Sequence, residues 1–61
     1  MDLINYIGLR VKIILTNNYY YIGKVLSADE NSIDLIDMRG KNVSLSRMAI
    51  LSIAEVSDGG R

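Results

Sequence analysis

The chain has no cysteine, histidine, proline or tryptophan among its 61 residues. Without cysteine and histidine it cannot form disulfides, use thiolate chemistry or build the usual structural zinc sites. A domain of this length buries only roughly 60% of the surface that its unfolded chain exposes, so its own core is marginal. We therefore expect oligomerisation to add stability, and we expect no metal ion or other cofactor.

An excess of charge is also missing, because seven Lys and Arg residues balance seven Asp and Glu residues. No global positive field draws the chain to nucleic acid or to an anionic membrane, so any polyanion binding must come from local clustering. The sequence has no apolar run long enough to span a bilayer, and its start, MDLINYIGLR, lacks the basic segment and cleavage site of a signal peptide. We expect a cytoplasmic protein with no membrane partner.

The residues that are present suit a folded domain, with 49% apolar and 23% charged residues. The last five residues, SDGGR, are polar and rich in glycine, and we expect residues 57–61 to form a disordered tail. The sequence therefore predicts a single domain over residues 1–56.

The spacing of the apolar residues changes after residue 8. Leu3, Tyr6 and Ile7 recur at helical spacing behind Asp2, which predicts a short N-terminal α-helix capped by Asp2 and ended by Gly8. From there apolar and polar residues alternate, which predicts five short antiparallel strands. Their expected bounds are 9–15, 19–28, 32–37, 41–46 and 49–56.

Two positions within this pattern carry specific predictions. Asn17-Asn18 predicts a two-residue type I′ hairpin, because asparagine tolerates the positive φ that such a turn requires. Gly23 lies inside the long second strand, where glycine indicates a sharp bend or a close backbone approach. A short helix followed by a strongly bent five-stranded sheet suits a small barrel of SH3-like or OB-like type, and the tight hairpins favour the SH3-like form.

The segment IGLRVKIILTNNYYYIGKVLSADENSIDLID resembles the first motif of the Sm and Sm-like (LSm) family. The motif combines an apolar residue and glycine, alternating apolar positions, a turn, an aromatic residue two before a glycine, and an aspartate. The matching positions are Ile7-Gly8, Val11, Ile13, Leu15, Asn17-Asn18, Tyr21, Gly23, Val25 and Asp29. LSRMAILSI is similar to the second motif, closest to its bacterial Hfq-type form, with Arg47 on a basic position and Met48 on a histidine position. The resemblance covers about residues 3–54.

This resemblance implies an Sm-like small barrel that binds RNA without catalysis and takes part in RNA processing. It implies a homo-oligomeric ring, in which the fourth strand of one copy pairs with the fifth strand of the next, and which holds single-stranded RNA, U-rich or A-rich, at its central opening. The turns that carry Asp29 and Asn31 and that carry Arg47 and Met48 would line this opening. Tyr19 would lie on a second RNA surface.

Ordinary roles stay open for these residues. Arg47 on a tight turn is commonly a solvated surface residue, Asn31 a plain turn residue and Met48 a packing residue. Asp29 is expected to brace its own turn by accepting backbone hydrogen bonds. Tyr19 can pack at a subunit interface instead of stacking on a base.

The other two tyrosines of the triplet point to opposite faces of the second strand. Tyr21 shares the parity of the apolar core positions, whereas Tyr20 faces the other way and is expected to cover a neighbouring subunit. A peptide reader of the SH3 or Tudor type would need an aromatic cage, for which these tyrosines on one strand are the only candidates.

We do not expect an enzyme, because the chain has no histidine or cysteine, no glycine-rich phosphate loop and no carboxylate pair of recognisable spacing. The main alternative to RNA binding is an Sm-like or SH3-like small barrel that acts as a structural or protein-interaction module.

Overall fold

The computed structural model describes residues 2–56. This part of the chain is mostly β, and each of its five strands lies within one residue of the bounds that the sequence predicts. The elements are an N-terminal 3-10 helix (Leu3–Tyr6), β1 (Arg10–Leu15), β2 (Tyr20–Ala28), β3 (Ser32–Asp37), β4 (Asn42–Ser46), a second 3-10 helix (Arg47–Ala49) and β5 (Ile50–Glu55). The predicted disordered tail, residues 57–61, lies outside the described residues. Neither helix of the described part is long and apolar enough to cross a membrane.

The five strands form one antiparallel sheet in the order β4-β3-β2-β1-β5. The expected barrel is not closed: within residues 2–56, β4 and β5 are the two edges of the sheet and do not pair with each other. The reason is the connection between them, since Arg47 N donates to Asn31 O at one end (2.8 Å) and Thr16 N donates to Ala49 O at the other (2.9 Å). The second 3-10 helix therefore carries the chain from the β3 side of the sheet to the β1 side.

The N-terminal helix is a single 3-10 turn instead of the predicted α-helix. Asn5 N donates to Asp2 O at 3.1 Å, an i to i+3 bond, and the Asp2 side chain makes no capping hydrogen bond. With only seven residues before Gly8 the segment is too short to nucleate an α-helix in isolation. Gly8 has a φ of +85° and donates its N–H to Val25 O at 2.9 Å, which fastens the end of the turn to β2.

Nine apolar side chains from the N-terminal turn and from all five strands make one core. On β1 and β3 they alternate with exposed or partly exposed residues, because successive side chains of a strand point to opposite faces. Tyr21 is partly buried and packs against this cluster, as its parity predicts. Within the described residues the core consists of Leu3, Val11, Ile13, Leu15, Val25, Ile33, Leu35, Leu45 and Ile50.

The turn between β1 and β2 differs from the prediction. Of the two asparagines only Asn18 has a positive φ, at 73°. Asn18 N donates to Leu15 O (3.0 Å) and Leu15 N donates to Tyr19 O (2.8 Å), a pattern typical of a three-residue loop in which a left-handed residue follows a type I turn. The Asn17 side chain explains the difference, because its Oδ1 accepts the Tyr19 N–H at 3.0 Å. A two-residue turn would need this N–H for a backbone hydrogen bond across the hairpin.

Gly23 marks a close backbone approach, as the sequence predicts. It pairs with Val11 of β1 on one side and with Asp37 of β3 on the other. A Cβ atom at this position would lie 2.8 Å from the Cα of Asp37 and in contact with the carbonyl oxygen of Ile36. Because both neighbours are backbone atoms, they cannot move aside without shifting β3.

We predict that Gly23→Ala lowers the free energy of unfolding by about 1–3 kcal/mol, because the added methyl group overpacks the contact between β2 and β3. The matched control is Gly40→Asn in the β3–β4 turn: Gly40 has a φ of +84° with open space around it, and Asn18 shows that this chain accommodates asparagine at a similar φ. Thermal unfolding at equal protein concentration checks the prediction, which is wrong if the two variants unfold at the same temperature.

Candidate functional site

Two turns that are distant in sequence meet at one end of the sheet. Residues 29–31 connect β2 to β3, and the second 3-10 helix connects β4 to β5. Arg47 N donates to Asn31 O at 2.8 Å, and the Arg47 guanidinium Nη1 donates to Glu30 O at 3.1 Å. Backbone and side chain of one residue thus hold the two turns together. The four residues predicted at the opening, Asp29, Asn31, Arg47 and Met48, therefore share one exposed surface.

Asp29 braces the first of these turns. Its Oδ1 accepts hydrogen bonds from Asn31 N (2.8 Å), Ser32 N (2.9 Å) and Ser32 Oγ (3.3 Å). These donors stabilise the carboxylate form, chiefly the Asn31 N–H and then the Ser32 N–H, and they lower the pKa of Asp29 below its ordinary value. Asp29 and Arg47 thus hold the Asn31 backbone, Asp29 through its N–H and Arg47 through its carbonyl oxygen.

A serine fixes the second turn. Ser46 Oγ accepts the Met48 N–H at 3.3 Å, which caps the second 3-10 helix as β4 ends. The Met48 side chain is 90% exposed, so in the single chain it packs against almost nothing. A flexible thioether held out at the junction of the two edge strands is available to a ligand or to another copy of the chain.

The local charge of this surface is not strongly positive. Each chain contributes the Arg47 guanidinium, and the adjoining turn contributes the carboxylates of Asp29 and Glu30. The affinity for a ligand at this surface would depend on specific hydrogen bonds and on contact with Met48 more than on a broad electrostatic field.

Tyr19 belongs to a different element, the β1–β2 turn. Its side chain is 69% exposed, and its N–H is bound by Asn17. The structure therefore places this fifth predicted residue on another part of the surface, separated along β2 from the turn of Asp29.

One surface was not predicted as a site. Arg10 and Lys12 on β1 and Lys24 on β2 share the outer face of the sheet, opposite the core, and the Lys12 ammonium lies 4.8 Å from the centroid of the Tyr20 ring. The sequence indicates part of this surface, because Arg10 and Lys12 alternate with buried residues and so lie on the exposed face of β1. The partner strand and its register, which bring Lys24 and Tyr20 to the same face, come only from the folded sheet.

Comparison with protein-family models and with curated proteins finds no match for this chain. The motif positions quoted above and the strand order are therefore the grounds on which a function can be proposed.

We predict that Asp29 makes the fold sensitive to acid. Because its pKa is lower in the folded chain than in the unfolded chain, its contribution to stability is complete above the unfolded pKa and is lost as the pH falls through the folded one. Asp29→Asn should therefore lower the unfolding temperature at neutral pH and lower it less below about pH 4. Asp2→Asn is the control, since the Asp2 side chain caps nothing. An equal effect of Asp29→Asn at both pH values would contradict the assignment.

Proposed function

We propose that this chain is an Sm-like module without catalytic activity that assembles into a homo-oligomeric ring and holds single-stranded RNA at the central opening. The observation that carries the proposal is the strand order, which leaves β4 and β5 as the two edges of an open sheet. The cytoplasmic location and the role in RNA processing stay predictions from the sequence.

The two edges are suited to pair with each other on neighbouring copies. An open edge presents unpaired N–H and C=O groups, and pairing β4 of one copy with β5 of the next around a rotation axis satisfies both edges at once. Neither strand contains proline; β4 carries no charged residue, and β5 carries only Glu55. Leu51 of β5 sits in a bulge opposite β1 and is 61% exposed, so the β5 edge offers an apolar side chain to a neighbour.

The candidate site supports the proposal through its position. The second 3-10 helix joins the two edge strands, so in a ring each copy places Arg47 and Met48 beside the junction with a neighbour. The guanidinium group contacts phosphate, the Asn31 amide reads a base edge, and Met48 packs against a base. Asp29 contributes indirectly by holding the turn of Asn31.

Glu30 favours the alternative of a structural or protein-interaction ring. It is exposed beside Arg47, and a ring repeats its carboxylate as often as it repeats the guanidinium. Like charges close to a phosphate weaken RNA binding. RNA affinity thus depends on whether Arg47 outweighs Glu30, which the second experiment below measures.

Ser44→Pro tests the ring. Arg47 N is bonded to the carbonyl oxygen of Asn31, the residue directly before β3. Hydrogen-bonded pairs alternate along an antiparallel ladder, so Ser44 directs its N–H away from β3 toward the open edge. Proline there removes a donor needed only by a partner strand. By light scattering we expect the wild type at a multiple of 6.8 kDa and Ser44→Pro at the monomer mass with its β-sheet circular dichroism retained.

Val43→Pro is the matched control for this experiment. Its N–H lies on the side bonded to β3, so the substitution should destabilise the fold itself and not only the assembly. A wild-type chain that is monomeric at all concentrations would contradict the proposed ring.

Arg47→Ala tests RNA binding at the opening. Removing a charged hydrogen bond to phosphate should weaken binding of oligo-U or oligo-A RNA by about tenfold or more. The fall of log affinity with log salt should become less steep, by about 0.7 for each phosphate that the variant no longer neutralises. Glu30→Gln should raise the affinity, and Lys41→Ala, an exposed cation outside the site, should leave it nearly unchanged. Unaltered binding in Arg47→Ala would contradict a site at the opening, and absence of RNA binding by the wild type would favour the protein-interaction alternative.

A further inference from the structure

The three aspartates of the β2–β4 part of the chain differ in what their carboxylates bind. Asp29 and Asp37 lie at turns, where each accepts two backbone N–H groups. Asp34 lies in the middle of β3 instead, half-buried between two core residues of the strand and therefore on the outer face of the sheet. Its Oδ2 accepts the Ser27 hydroxyl at 3.0 Å, so this carboxylate closes no turn and contacts a neutral donor.

Asp34 belongs to a row of polar side chains that crosses three strands. It lies directly opposite Ser27 of β2 on one side and Ser44 of β4 on the other. Asn42 is the next exposed residue along β4 and is the diagonal neighbour of Asp34. Hydroxyl and amide oxygens accept hydrogen bonds as a carboxylate does, so this row offers several acceptors to one ligand.

These polar side chains line a groove of about 300 Å³ that also has an apolar wall. Leu26 contributes to this wall as the extra residue of a β-bulge, since the register of β2 against β3 shifts between Val25 and Ser27. It has no partner on β3, and its side chain is 49% exposed. Leu35 and Val43 complete the apolar lining, and within the described part of the chain no lysine or arginine lines the groove.

We propose that this groove binds an arginine side chain presented by a partner protein. The guanidinium group donates two hydrogen bonds to the Asp34 carboxylate, the bidentate geometry that this pair favours. Its remaining N–H groups donate to the side-chain oxygens of Asn42 and Ser44. The apolar stem of the arginine packs against Leu26 and Val43. A carboxylate beside an apolar wall is complementary to a cation on an apolar stem, in charge as well as in polarity.

Other classes of ligand fit the groove less well. A calcium ion takes about six or more oxygen ligands, and within residues 2–56 Asp34 is the only carboxylate that lines the groove. RNA would bring phosphate beside this carboxylate, and the described lining has no aromatic ring on which a base could stack. The ammonium group of lysine is a point charge without the planar fork of arginine, so lysine should bind less tightly.

This site goes beyond the function proposed above, because it requires neither a ring nor RNA. Pairing of β4 with β5 of a neighbouring copy would leave the groove open. Ser52 and Ala54 are the outward-facing residues of β5, since their partners on β1 lie on the outer face. Both side chains are small, so a neighbouring β5 would extend the outer face beside the groove without covering it. Leu51 is larger and 61% exposed, and it is the occupant from a second copy that the experiment must exclude.

Amide chemical shifts of the full chain, titrated with the blocked peptide acetyl-Ala-Ala-Arg-Ala-Ala-amide, test the proposal. We expect the signals of Leu26, Asp34 and Ser44 to shift and to saturate. The same peptide with citrulline in place of arginine keeps the shape of the side chain but not its charge, and it should bind about tenfold more weakly or less tightly still. Equal shifts with the arginine and citrulline peptides would overturn the site.

Two variants locate the binding in the groove. Asp34→Asn should weaken binding of the arginine peptide by about tenfold or more, because the amide removes the charge while it keeps the shape and an acceptor for the Ser27 hydroxyl. Leu26→Ala should weaken it by about threefold or more through lost contact with the arginine stem. Asp2→Asn removes an exposed carboxylate outside the groove and is the matched control. Wild-type affinity in Asp34→Asn would contradict the proposal.

Light scattering of the same variants separates a partner protein from a second copy of the chain. Unchanged mass together with weakened peptide binding supports the arginine site. If Leu26→Ala or Asp34→Asn instead lowers the mass of the assembly, a neighbouring copy occupies the groove and the arginine site is wrong. A wild-type chain that is monomeric but binds the arginine peptide would overturn the ring and leave this site standing.

Discussion

The three-residue connection between β4 and β5 is the constraint on which the rest of the structure depends. Backbone hydrogen bonds hold it at both ends, from Arg47 to Asn31 and from Thr16 to Ala49. Because both of its ends are bonded to other segments of the sheet, its flanking strands do not pair as a β-hairpin, and β4 and β5 lie at the two edges of the sheet. The same bonds bring the β2–β3 turn against Arg47. Open edges and the candidate site therefore have one origin.

The function of so small a neutral chain depends on where its charges lie. Antiparallel pairing places the basic residues of β1 and β2 on the outer face, while Asp29 and Asp37 are used inside turns, where backbone N–H groups stabilise their carboxylates. Because these two carboxylates lie at turns, the outer face of β1 and β2 carries a local positive charge although the net charge of the chain is zero. Local arrangement, not total charge, decides which surfaces attract a polyanion.

Turns and terminal segments were the hardest features to predict from the sequence. The alternation of apolar residues identified the strands closely, because a buried face requires it whatever the tertiary arrangement. The type of the first hairpin was wrong because the Asn17 side chain competes for a backbone donor, and the N-terminal helix was wrong in type because seven residues cannot nucleate an α-helix. The first error comes from one local side-chain contact and the second from the length of the segment, and the spacing of the apolar residues contains neither.

The sequence by itself determined the strands, the close approach at Gly23 and the bracing role of Asp29, since these depend on periodicity and on contacts within a few residues. Only the tertiary structure decided that Arg47 meets Glu30 and Asn31, that Lys12 lies over Tyr20, and that β4 and β5 do not pair with each other within the described part of the chain. Those contacts join residues on different strands or turns, and their formation depends on the register and the order of the strands, which no single strand encodes.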